Sequence, residues 1–163
     1  MRITIALTAG LVMVGSEARA TTDELCSRLA QFERDVVTLG KGKPQWFEVA
    51  WGTDPDAIFS VACAHETQPA ARHVCSWIPT NISMEFAGLL PKRVAKCYGL
   101  SSNRYDAYKF RERTTKFRSG LGNRLIMQTG IAPDRTPWFR LAVFPSSIKA
   151  SESALPKRPA YTR

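Results

Sequence analysis

The sequence predicts an α+β domain: an antiparallel sheet of about five strands, with an N-terminal helix and a kinked central helical region packed on one face. Three observations carry that expectation. Strand-like runs occur in groups instead of alternating singly with helices, which disfavours a doubly wound parallel sheet. A strong helical apolar stripe opens the chain after residue 20, and a second helical region separates the first strand pair from the later strands. At 163 residues, 44% hydrophobic and 23% charged, the chain has the size and composition of one ordinary globular domain. That excludes whole-chain disorder, a multi-domain enzyme and a long repeat array.

Residues 1–20 are expected to be a signal peptide. Arg2 is followed by an apolar, uncharged run from Ile3 to Gly15, and Ala18-Arg19-Ala20 puts small side chains at both pocket positions before a cut. The run is too short to cross roughly 30 Å of hydrocarbon as a helix. The organisation read from the sequence is therefore leader 1–20, domain 21–145 and a mobile basic tail 146–163, whose two prolines and low apolar content give it little to bury.

Thr21 to Glu24 has the form of a capping box, and Leu25, Leu29, Phe32 and Val36 follow on one helix face, with Glu33, Arg34 and Asp35 outside it. A helix over 23–39 ends at Gly40, and GKGKP is a basic turn whose glycine spacing does not make a phosphate loop. The run 45–51 alternates, Phe47, Val49 and Trp51 against Trp46, Glu48 and Ala50. With 57–63 it reads as a hairpin across a polar turn. Residues 68–98 keep helical spacing, but Pro79 and Pro91 must bend it or divide it into two or three short helices. Strands are expected over 105–113, 124–129 and 138–144, separated by the turn segments 119–123 and 132–137.

The four cysteines lie after the leader and are even in number, so in an oxidising compartment they should form two bridges. Three pairings are possible. Cys63 ends a strand just before the helix that holds Cys75, while Cys26 and Cys97 lie on helical elements of one layer. The expected bridges are Cys63–Cys75 and Cys26–Cys97. The competing pattern is zinc on Cys63, His65, His73 and Cys75. Its one-residue spacing points His73 and Cys75 about 200° apart on a helix, so no metal and no cofactor is expected.

No catalytic signature stands out. There is no G-x-S-x-G, and the S-x-x-K of Ser146 to Lys149 falls in the expected tail. Glu48, Asp54, Asp56, Glu66 and Glu85 could supply paired carboxylates to a small hydrolase, yet nothing marks them as buried. Tryptophans 46, 51, 77 and 138 sit at core spacings.

The charge is +9, and residues 104–124 concentrate cations, with Lys109, Arg111, Arg113, Lys116 and Arg118 as the candidate partner-binding set. An exported protein rarely meets nucleic acid, so acidic proteins or anionic envelope glycans and lipids are the expected partners. A small two-bridge α+β domain of this kind is similar in architecture to periplasmic inhibitor and toxin-immunity proteins. That likeness implies an exported, non-enzymatic binding protein acting through a basic sheet face. The alternatives are an envelope accessory protein on anionic surfaces and a small periplasmic carboxylate hydrolase.

Overall fold

A computed structural model of the chain describes residues 23–54, 56–57, 59–106, 110–148 and 155. The expected leader, Lys109 and most of the expected tail lie outside them. Helix α1 (Glu24–Leu39) buries Leu25, Leu29, Phe32 and Val36 as the stripe requires, and also buries Glu33, which the sequence placed outside. Its cap is Asp23, whose carboxylate accepts from the Leu25 amide at 3.0 Å and from Arg93 at 2.8 Å. The Arg93 hydrogen bond holds that carboxyl below its ordinary value. Glu24 pairs with Arg28 one turn on, and Thr21, the other member of the expected capping box, lies outside the described residues.

Strands β1 (Gln45–Trp51), β2 (Val61–Ala64), β3 (Arg113–Arg118), β4 (Arg124–Ile131) and β5 (Pro137–Phe144) form one antiparallel sheet in the order β2-β1-β5-β4-β3. The helical region divides into a 3₁₀ turn (Pro69–Ala71), α2 (Arg72–Asn81) and α3 (Leu89–Cys97). Pro79 lies inside α2 two residues before its end. Pro91 occupies the first turn of α3, where an N–H would have had no intrahelical acceptor. All three helices lie against one face of the sheet: Phe47, Val49, Trp51, Leu125, Met127, Phe139, Leu141 and Val143 share a core with Leu29, Phe32, Val74, Ile78 and Val94.

Two strands differ from expectation. β2 begins only at Val61, because Ser60 is used up in closing the turn, its hydroxyl accepting from the Asp54 amide at 2.9 Å. β3 occupies 113–118; of the run 105–113 expected as a strand, 107–109 lie outside the described residues and 105–106 and 110–112 are not strand. The hairpin 119–123 sets that register: Ser119 N–H donates to the Asn123 carbonyl at 3.0 Å and Gly122 takes φ +82°, closing a three-residue loop that pairs Arg118 with Arg124.

The second sheet face is also largely buried. Trp46, Ile126, Ala142 and Phe144 form a smaller apolar cluster on it, and Leu155 packs against them. Cross-strand neighbours Glu48 and Arg140 make an ion pair there, with Nε and Nη2 at 3.0 and 2.8 Å from Oε2 and the guanidinium over the Trp46 ring. Gly130 leaves room for Trp138, whose ring would be 2.7 Å from any β-carbon at that position. Both expected bridges are present, Cys26–Cys97 and Cys63–Cys75.

Candidate functional site

The chain from the end of α3 to β3 builds a cleft of about 280 Å³ at one end of the sheet. A 3₁₀ turn (Ser102–Arg104) leads to Tyr105, whose hydroxyl shares a 2.7 Å hydrogen bond with Thr115 and so fixes the segment on the inner side of β3. Thr129 on β4 donates to the Arg111 carbonyl at 2.7 Å, anchoring the approach to β3 from the other side. Arg113 faces the helices and lies over the Tyr105 ring, 5.6 Å from its centre. Between these anchors, Arg104, Arg111 and Arg113 line one cavity with Phe110, beside Asp106.

None of the three arginines forms an ion pair with a described residue. The N-terminus of α3 borders the same cleft through Gly88 and Pro91, and no side chain caps it. A helix start carries partial positive charge, which adds to the three guanidinium groups and outweighs the one carboxylate, Asp106, in the cleft lining. Among its described lining residues the cleft presents three guanidinium groups and one carboxylate, Asp106, around an aromatic wall, with no imidazole or thiol. That chemistry suits holding an anion.

The five cations singled out in the sequence are not on one surface. Arg111 and Arg113 reach the cleft, Lys109 lies outside the described residues, and Lys116 and Arg118 point to the opposite side of β3. Arg104, outside the partner-binding set, joins the cleft because its turn folds back toward α3. Oxidation of all four cysteines leaves no thiolate beside His65 and His73. Among the described residues no cluster of three ligating side chains could hold a metal. Of the five carboxylates weighed for hydrolysis, Glu48 is buried against Arg140 and the other four are exposed.

Sequence reasoning missed Glu33. It is 2% exposed, and its Oε2 accepts from the Ser119 hydroxyl at 2.5 Å and from the Asn123 amide at 3.2 Å. The Tyr98 hydroxyl is buried beside it and makes no hydrogen bond of ordinary geometry. Burial first, and then the negative charge of Glu33, hold that phenol well above its usual value. The available signal was spacing: Glu33 lies four residues after Leu29, within reach of the buried stripe.

No family model, no curated protein and no solved structure matches the chain. Among the described residues, no helix is long and apolar enough to cross a membrane.

Proposed function

We propose that this is an exported binding protein that captures an acidic group of a protein partner in the cleft formed by Arg104, Arg111 and Arg113. The observation that carries the reading is the convergence of three guanidinium side chains, none ion-paired with a described residue, at the uncapped start of α3. Like charges held together repel one another, and an incoming carboxylate relieves that repulsion while accepting paired hydrogen bonds from a planar fork. Lys116 and Arg118, on the other side of β3, add long-range attraction without touching the bound group. The two disulfides and the leader-like residues 1–20 support an oxidising compartment.

The test is a titration with a tetra-aspartate peptide, followed through the backbone amides of Tyr105, Arg111 and Thr129 and the arginine side-chain N–H signals. The wild-type protein should show saturable shifts that weaken steeply with salt. Arg104→Ser with Arg111→Ser should weaken binding at least tenfold at an unchanged thermal midpoint, since both residues are exposed. Equal binding by the double variant, or shifts centred on Lys116 and Arg118, would refute the assignment.

A further inference from the structure

At the far end of β3 from the arginine cleft, the tip of the β3–β4 hairpin rests on α1 over Glu33. Leu121 projects from the tip, 54% exposed, and Val37 on α1 is 59% exposed. A groove of about 260 Å³ runs on one side of Leu121 and another on its other side, and Glu33 lines both. The first is walled by Leu29, Ala30, Leu121 and the Cys26–Cys97 bridge, with Tyr98 beside the acid.

Three features of this groove belong together. Glu33 is a buried carboxyl group with no lysine or arginine paired to it among the described residues, a costly arrangement for a charged side chain. Both hydrogen bonds of ordinary geometry that it receives fall on Oε2. The neighbouring Tyr98 hydroxyl is buried, with no hydrogen bond of ordinary geometry, and of the described residues only Glu33 lies near enough for a looser one. The groove therefore offers two acceptors at its floor and apolar walls above them.

We infer that this groove receives an arginine side chain from a protein partner, its aliphatic stem lying against Leu29 and Leu121 and its guanidinium donating to Glu33 and Tyr98. A metal ion would want several oxygen ligands, and the groove supplies one carboxylate. A lysine would bring a compact point charge, whereas a guanidinium holds its donors in a planar fork that can bridge two acceptors at once. An apolar wall with a charged floor also matches the division of a long cationic side chain into stem and head. The inference does not depend on the arginine cleft: the two sites lie at opposite ends of β3 and carry opposite charge.

The probe is N-acetyl-arginine methylamide, with the norleucine and lysine analogues as controls, read from the backbone amides of Tyr98, Ser119, Gly120 and Asn123. The arginine probe should give saturable shifts at millimolar concentration, and the norleucine analogue none. Glu33→Gln should weaken binding at least tenfold. Because that change also touches the hairpin contact, Leu121→Lys provides a second arm: it places a cation at the rim from an exposed position and should block the probe while leaving the amide spectrum native elsewhere. Equal shifts from the norleucine analogue, or undiminished binding in both variants, would overturn the site. Equal affinity for the lysine analogue would overturn the choice of arginine. Sedimentation showing wild-type self-association that Glu33→Gln abolishes would make the occupant a second copy of this chain and overturn the partner assignment.

Discussion

Replacing Arg140 by Met tests the energetics of the buried sheet face. Glu48 is fully buried and Arg140 is 5% exposed, so neither charge can turn to water when its partner is lost. Breaking a buried pair from one side typically costs about 3–5 kcal/mol, because the remaining charge stays buried with its ion pair gone. Arg140→Met also removes the cation from the face of Trp46, a contact worth about 0.5–2 kcal/mol. Glu48→Leu leaves that contact in place. Arg140→Met should therefore be the more damaging single change by about 1 kcal/mol. The double variant replaces both charges with apolar groups and should recover most of the loss, giving a coupling energy of at least about 2 kcal/mol. Urea unfolding of the oxidised protein measures this, with the four midpoints compared at constant slope. The larger single loss corresponds to a fall in thermal midpoint on the order of 10–20 °C. A cost under about 1 kcal/mol for Arg140→Met, or additive single effects, would mean that the pair is solvated and that this face is open to water.

Further outcomes follow from the bridges, the phenol and the leader. On the chain-entropy account, the separations of 71 and 12 residues make removal of Cys26–Cys97 cost about 4 kcal/mol and removal of Cys63–Cys75 about 3 kcal/mol, measured on paired Cys→Ala variants. The Tyr98 phenol is raised in the folded state, so the unfolded chain loses its proton first, near pH 10. The stability tied to that proton is complete below pH 10 and falls as pH rises above it, and Tyr98→Phe should flatten this alkaline limb of the urea midpoint. Mass spectrometry of exported protein should give Thr21 as the first residue; material that reaches the periplasm still carrying Met1 would contradict the leader reading.

The elements with strong periodicity were legible in the sequence. Leu25, Leu29, Phe32 and Val36 mark α1, and Phe47, Val49 and Trp51 mark the inner face of β1, because each pattern reports a neighbour within one or two turns of chain. The bridges were legible because secondary structure placed Cys63 beside Cys75. β3 was misplaced because residues 105–113 alternate convincingly, yet pairing is decided by the hairpin. Counting back from Ser119–Asn123 would have put the partner of residues 124–129 at 113–118. Glu33 was misread because its partners, Ser119 and Asn123, are 86 and 90 residues away and no local pattern reports them. The cleft escaped for the same reason. It joins the start of α3 to the approach to β3, and an alternating strand model put Arg113 on the outer side with Lys109 and Arg111.

The position of β5 also governs when this protein can fold. Among the described residues it is the last strand in sequence and the middle one in space, bonded to β1 on one side and β4 on the other. Until residue 144 has emerged from the ribosome or the translocation channel, β1–β2 and β3–β4 remain separate hairpins with no common strand to join them. A nascent chain of this design stays sheet-incomplete until β5 is available, and closing contacts across some ninety positions is slow compared with local hairpin formation. Under the proposed export, that delay would keep the chain threadable during passage through a membrane, and it also leaves the strand edges exposed for a time. A truncation just before Pro137 removes the strand that makes the two hairpins one sheet, so it should yield no folded protein.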